Sequence, residues 1–132
     1  MVSAIWSAID TAGSGVDVDQ TWINTVGGNV ANMEDGVTPG QPVYQAQYVE
    51  AGEQQNGEGV QVDAIEVGPT QGELDYEPDN PIANAQGEVE YPVVDLGSQM
   101  VDLTEAQASY QANAQVLSDA KTAYQTILDI TA

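Results

Sequence analysis

Apolar residues recur at alternating steps of three and four along both ends of this chain. One series runs through residues 2–33 and the other through residues 96–128. Such spacing places the apolar side chains on one stripe of a helix, and a stripe of this length needs a partner to cover it. The two stripes therefore predict two terminal helices, which either pair within the chain as a helical hairpin or assemble with neighbouring chains.

Glycine weakens the N-terminal stripe. Gly13, Gly15, Gly27 and Gly28 lie within it, and each costs about 1 kcal/mol relative to alanine in a helix interior. The sequence predicts two helical pieces or one imperfect helix with a soft point near residues 13–18. The residues of this segment that we expect at an assembly interface are Ile5, Ile9, Val16, Ile23, Val26, Asn29, Val30 and Asn32.

The C-terminal stripe predicts a single long helix. Residues 96–130 contain one glycine, Gly97, and no proline, and a helix of this length reaches roughly 50 Å. Asp95 is a suitable N-cap, because its carboxylate can accept a hydrogen bond from the first turn. The interface residues expected here are Met100, Leu103, Gln107, Tyr110, Asn113, Leu117, Tyr124 and Leu128.

The middle of the chain, residues 34–95, differs from both ends. It holds fourteen of the twenty-one carboxylates and all six prolines. Short alternating runs at residues 42–49, 59–67 and 88–93 are bounded by Gly, Asn and Pro, which is typical of strands and turns. The predicted fold is α+β: residues 1–33 and 96–132 form a coiled-coil-like helix pair, and residues 34–95 form an acidic β-rich insert, either a small antiparallel subdomain or an extended arm.

The charge restricts the possible partners. Lys121 is the only basic side chain, and the net charge is −20, which excludes nucleic acid and anionic membranes as partners. High salt would screen this repulsion and low pH would neutralise it; we favour salt. We expect the Lys121 ammonium to extend into solvent or to pair with Asp119 or with a carboxylate of another subunit.

The amino-acid composition argues against several classes of function. The chain has neither cysteine nor histidine, which removes thiol chemistry and the commonest general base. No enzyme activity, cofactor or metal is therefore expected. No run approaches the roughly 20 apolar residues that a membrane span requires, and the first residues lack the basic and apolar regions of a cleaved signal peptide.

Two short motifs, one near each end of the chain, are distinctive. Residues 28–32 read Gly-Asn-Val-Ala-Asn, and Thr38-Pro39-Gly40 follows them. They are similar to the Asn-Asn-Ile-Ala-Asn motif, and to the turn that follows it, in the flagellar rod and hook protein family. Residues 105–113 read Glu-Ala-Gln-Ala-Ser-Tyr-Gln-Ala-Asn, similar to Glu-Ala-Gln-Arg-Ser-Tyr-Gln-Ala-Asn. Residues 75–95 and the short chain resemble the proximal-rod members of the family. Gly28 and Ala108 depart from the family's Asn and Arg.

The resemblance implies a structural subunit of the periplasmic rod in the flagellar basal body. It implies terminal helices that polymerise around the export channel, with copies of this chain and other rod proteins, and help to transmit torque from motor to hook. It also implies passage through the flagellar type III export apparatus without a cleaved signal peptide and without membrane insertion. Asn29, Asn32 and Asn113 are then expected to form buried hydrogen bonds between helices, because a polar amide in a helix seam sets its register.

A second reading is a secreted acidic module whose β region binds cations or a cationic partner. The alternating carboxylates at residues 75–80 suggest calcium. An EF-hand loop, however, needs glycine at its sixth position and glutamate at its twelfth, where this chain has Asn80 and Gln86. Specific calcium binding is therefore the less favoured reading.

Overall fold

The computed structural model describes residues 1–132, and its architecture is α+β as predicted. A long N-terminal helix and a long C-terminal helix enclose four short strands in the chain. The elements are α1 (Val2–Asn32), β1 (Gln47–Glu53), β2 (Val60–Val67), β3 (Glu73–Tyr76), β4 (Glu88–Tyr91) and α2 (Leu96–Thr131).

The two helices pack against each other in opposite directions. The rings of Trp6 and Tyr124 lie 5.2 Å apart between centroids. Further along, the Asn113 side chain donates to Asp19, and the Asn29 side chain donates to Gln99. As the residue number rises along α1 it falls along α2, so the helices form an antiparallel hairpin.

Helix α1 is continuous from Val2 to Asn32, so its residues do not form two separate helical pieces. Of the two possibilities left open by the glycines, the single helix is correct. Part of its length lies against α2, and Ala12, Gly15 and Val18 are buried there. In proteins such tertiary packing supplies most of a helix's stability, which offsets the intrinsic cost of the glycines.

Helix α2 begins where the sequence predicts. Asp95 has an extended backbone conformation, and its Oδ1 accepts a hydrogen bond from the backbone N–H of Ser98 at 3.2 Å. This is the side-chain cap that satisfies an otherwise unpaired donor in the first turn of a helix. The predicted N-cap is confirmed.

The insert forms two antiparallel hairpins. Strands β1 and β2 pair with a register shift between Glu50 and Ala51, and β3 pairs with β4. The predicted strand at 42–49 is correct only from Gln47 onward. Residues 42–46 are not a strand; they form the segment that leads to β1, in which Val43 and Ala46 are buried. Strand β3 was not predicted; it has only four residues, Glu-Leu-Asp-Tyr, and its two apolar side chains are exposed. Each of the four strands carries two carboxylates.

Asn29, in the last turns of α1, connects the two helices to the start of the insert. Its side chain is fully buried. Its Nδ2 donates to the Gln47 carbonyl at 2.7 Å and to Gln99 Oε1 at 2.9 Å. Its Oδ1 accepts from the Tyr44 hydroxyl at 2.9 Å and from the Gln47 N–H at 2.8 Å. One amide therefore joins α1 to α2, to the segment before β1 and to β1 itself.

The Tyr44 hydroxyl has the correct protonation state for this role. Burial, with a smaller contribution from Tyr48, raises the pKa of the Tyr44 phenol above its usual value. The hydroxyl therefore stays protonated at neutral pH and can donate its hydrogen to Asn29.

Replacing Asn29 should destabilise the chain much more than replacing a surface asparagine on the same helix. In Asn29→Ala, the Gln47 carbonyl and the Gln99 and Tyr44 side chains lose a buried partner, at about 1–3 kcal/mol for each group left unsatisfied. We expect the free energy of unfolding to fall by at least about 3 kcal/mol, measured by urea denaturation followed by circular dichroism. The control is Asn24→Ala, at an exposed position, with an effect within about 0.5 kcal/mol. Similar losses in both variants would contradict the role given to Asn29.

Candidate assembly interface

The isolated chain buries few of its residues. Fourteen of the 132 are buried, and only Gln99 and Ala106 are buried in the 36 residues of α2. Compact domains of this size bury a large share of their surface. Most of the surface of α2 is therefore available for contact with something else.

Large apolar side chains are exposed at both ends of the helix pair. Where the chain begins and ends, the exposed fraction is 48% for Trp6 and 78% for Ile130. At the opposite end, Val101 is 57% exposed and Met100 lies next to it. Extended exposed apolar surface of this kind marks sites of protein association.

The predicted interface residues fall into three groups by burial. Two, Val26 and Asn29, are buried within the chain. Three, Met100, Gln107 and Leu128, are exposed. The rest are half-buried: Ile5, Ile9, Val16, Ile23, Val30, Asn32, Leu103, Tyr110, Asn113, Leu117 and Tyr124. Pairing of α1 with α2 thus uses part of each stripe within the chain, and the contacts of these residues with neighbouring subunits remain a prediction.

Two of the three asparagines bridge the helices as expected, and one does not. Asn29 bonds to Gln99, and Asn113 bonds to Asp19. The prediction for Asn32 is wrong, because its Nδ2 donates to the Gly28 carbonyl of its own helix at 2.7 Å. Asn32 is the last residue of α1, and a carbonyl of the preceding turn is the nearest acceptor for its amide.

A groove lies between α1, α2 and the β1–β2 hairpin. Its volume is about 390 Å³. Apolar side chains from three elements line it, among them Val18, Trp22, Val49, Ala51 and Val60. The hairpin is held there by Ser14, whose hydroxyl accepts from the Val60 N–H at 3.0 Å and donates to the Thr11 carbonyl at 2.7 Å. No linear pattern reveals this groove, because its walls come from residues far apart in the sequence.

Asp19 also lines this groove and is only 5% exposed. Its Oδ2 accepts a hydrogen bond from Asn113 Nδ2 at 3.0 Å. Asp19 is the one polar position in the N-terminal stripe of apolar residues, and its bond to Asn113 explains why a carboxylate is tolerated between the helices. Nothing in the sequence pattern identified Asp19 in advance as a functional candidate.

Gly15 leaves the space that this hydrogen bond requires. A Cβ at this position would lie 2.5 Å from Asn113 Nδ2. Glycine here is a matter of close approach between the two helices, since the Asn113 amide occupies the place of the missing side chain. A Cβ at Gly13, by contrast, would have nothing within 4 Å.

The acidic loop between β3 and β4 is held by its own hydrogen bonds. The Tyr91 hydroxyl donates to both oxygens of Glu77 at 3.1 Å, and Asn80 Nδ2 donates to Glu77 Oε2 at 2.7 Å. Burial first, and then the bond to Glu77, raise the pKa of the Tyr91 phenol. No three Asp or Glu residues come close enough to hold a metal ion together. The geometry gives no support to the calcium reading.

None of the helices combines the length and the apolar character that crossing a membrane demands.

Comparison with known proteins is informative over nearly the whole chain. The family model described as flagellar basal body rod FlgEFG protein, C-terminal, matches residues 85–130. The flagellar basal-body rod protein FlgC of Salmonella typhimurium is 36% identical over 122 residues, which cover 89% of this chain and 91% of that protein. FlgC of Agrobacterium fabrum is 34% identical over 129 residues, covering 94% and 93%. FlgC of Aquifex aeolicus is 34% identical over 117 residues, covering 86% and 87%.

Alanine at Gly13 and at Gly15 should have different effects on stability. Gly13→Ala should raise the free energy of unfolding by about 0.5–1 kcal/mol, because alanine favours the helix and meets no neighbour. Gly15→Ala should lose that gain or reverse it, because the new methyl group displaces the Asn113 amide and leaves the buried Asp19 without its donor. Urea denaturation of the two variants gives the comparison. Equal stabilisation would show that the Asn113–Asp19 bond contributes nothing to the fold.

Proposed function

Because this chain belongs to the FlgC family of flagellar basal-body rod proteins, we propose that it assembles with copies of itself and with other rod subunits through the outward faces of its paired terminal helices. The chain is a structural component of the flagellar basal-body rod. The proposal concerns which surfaces make the contacts and with which neighbours.

The low burial of α2 is the observation that carries the proposal. The helix spans 36 residues, which is about 54 Å, and only two of those residues are buried. Helices in proteins depend on tertiary packing for most of their stability. A helix this long with so little of its surface covered therefore needs neighbours along its outward face.

The finer parts of the function rest on the resemblance and are proposed with it. The terminal helices would form the wall of a tube around the export channel, and the acidic insert would project to one side. Subunits would arrive through the flagellar export apparatus, and the assembled rod would pass torque from motor to hook. The family signature at residues 105–113 lies on α2, so the residues that carry the resemblance belong to the helix with the open surface.

A binding module for cations is the less favoured alternative. The acidic loop uses Glu77 in hydrogen bonds to Asn80 and Tyr91, and no observation favours a specific ion. We propose no catalytic role, in keeping with relatives whose names are those of rod proteins.

Salt should promote assembly. With a net charge of −20, copies of the chain repel each other, and the range of that repulsion shrinks from about 10 Å at 0.1 M to about 3 Å at 1 M salt. We expect the mass fraction of assembled protein, measured by sedimentation velocity, to rise between 0.1 M and 2 M NaCl. Dissociation on adding salt would mean that polar attraction, and not apolar contact, holds the copies together.

Removal of one exposed apolar side chain from α2 should weaken assembly without unfolding the chain. Val116 is 48% exposed, and burying a valine side chain contributes about 1.5 kcal/mol or more. Since only about half of the side chain remains to be buried, Val116→Ala should raise the concentration needed for half-assembly by about threefold. The matched control is Gln111→Ala, an exposed polar side chain on the same helix, which should leave that concentration nearly unchanged.

Circular dichroism of both variants at concentrations below assembly checks that the helices are intact. Equal assembly by Val116→Ala and the unaltered chain would exclude the Val116 face of α2 from the interface.

A further inference from the structure

The single basic side chain of this protein limits how copies can attract each other. Twenty-one carboxylates face one lysine, Lys121, and there is no arginine or histidine. Any ion pair between basic and acidic side chains of two copies must therefore use Lys121. This side chain is exposed on α2, where it is free to reach a neighbouring subunit.

Asp19 is a buried carboxylate with one partner in its own chain. Its Oδ2 accepts from Asn113, and the chain offers no other hydrogen bond to its side chain. Fully buried polar side-chain atoms all have partners, so the remaining oxygen keeps some exposure, and the groove is the open space that Asp19 lines. A desolvated carboxylate with a single amide donor is costly, and a cation at its free oxygen would lower that cost.

The groove suits a lysine side chain from outside the chain. Its apolar walls, formed by Val18, Trp22 and the hairpin residues Val49, Ala51 and Val60, match a four-carbon stem, and Asp19 matches the ammonium at its end. The volume of about 390 Å³ leaves room for the whole side chain.

Lys121 cannot fill the groove of its own chain. Asn113 is the residue of α2 that meets Asp19, and Lys121 lies eight residues further along the same helix (121 − 113 = 8). Eight residues of helix correspond to about 12 Å, which a four-carbon stem does not span.

We propose that Lys121 of a second copy inserts into this groove and pairs with Asp19, so that the one lysine of each subunit docks onto its neighbour. The inference rests on the proposed self-assembly and specifies a contact within it. A pair inside the groove is screened by salt much less than a surface pair. It therefore persists under the high-salt conditions in which these acidic chains can approach each other.

Isosteric substitutions test the pair. For Asp19→Asn, the proposed contact and the general repulsion between copies predict opposite effects on assembly. Asp19→Asn removes a negative charge, which by itself should reduce repulsion between copies and favour assembly. If Asp19 holds Lys121 of the neighbour, the same change should instead weaken assembly by about tenfold or more. The control Asp17→Asn makes the same change at an exposed position of the same helix and should leave assembly equal or stronger.

Substitutions at Lys121 complete a double-mutant cycle. Lys121→Met keeps the stem and loses the charge, and should weaken assembly as much as Asp19→Asn does. Lys121→Arg should retain assembly to within a few-fold. The double variant Asp19→Asn with Lys121→Met should be no weaker than either single variant, because the pair is already lost. Fully additive losses, or a Lys121→Met chain that assembles normally, would overturn the proposal. The measurement is the half-assembly concentration in 1 M NaCl by sedimentation velocity.

A disulfide test does not depend on Asp19 variants folding correctly. The chain contains no cysteine, so one introduced thiol per chain gives an unambiguous signal. Chains with Gln125→Cys, an exposed residue one helical turn from the intact Lys121, are mixed with chains with Ala51→Cys, an exposed residue lining the groove. The two should form mixed disulfide dimers on mild oxidation. Chains with Gln86→Cys, an exposed loop residue, replace the Ala51→Cys chains in the control and should form few.

The outcomes separate the two proposals. Assembly of the unaltered chain without preferential disulfides between the thiols at positions 125 and 51 overturns this contact and leaves the proposed function intact. An unaltered chain that stays monomeric at high concentration in molar salt contradicts self-assembly, and this contact with it.

Discussion

The fold depends on one buried amide. Asn29 satisfies two acceptors and two donors that belong to α2, to β1 and to the segment that precedes β1. Buried polar groups stabilise a structure only when all their hydrogen bonds are made, and here each of the four is 2.9 Å or shorter. Since the apolar core contains only seven buried side chains, it specifies the arrangement weakly by itself. The register between α1 and α2, and the point where the insert leaves the helix pair, follow from this network.

Much of this architecture is predictable from residue patterns, for reasons that differ between elements. The bounds of α2 follow from a capping residue, Asp95, and from an uninterrupted helical composition, both of which are local signals. The continuity of α1 was left open, because glycine propensity is local whereas the packing of α2 against it is not. The segment at 42–46 resembled a strand by alternation, yet Val43 and Ala46 are buried in a non-strand segment. These two residues are three positions apart, which is not the two-residue period of a strand, and strand propensity does not report burial of this kind.

The residues of the candidate interface were also predictable from the sequence only in part. The motif asparagines Asn29 and Asn113 could be expected between the helices because they interrupt or flank an apolar seam. Asn32 could not be separated from them, since its bond to Gly28 depends on where α1 ends. The groove around Asp19 had no signal at all, because its walls come from α1, β1, β2 and α2 together. Asp19 was visible in the sequence only as the one break in the apolar repeat.

The carboxylates on the strands have a consequence for an assembly in which many subunits lie close together. Each hairpin has only two strands, and only β4 has its outer edge partly covered, by the bridge between Val37 and Glu90. The other strands have an edge on which a neighbouring chain could add a strand. Two carboxylates on every strand oppose such pairing, because like charges would be brought side by side. The charge of the insert therefore opposes wrong strand pairing. Exposed apolar side chains of the helices, such as Trp6, Val116 and Ile130, are left as surfaces on which subunits can meet in order.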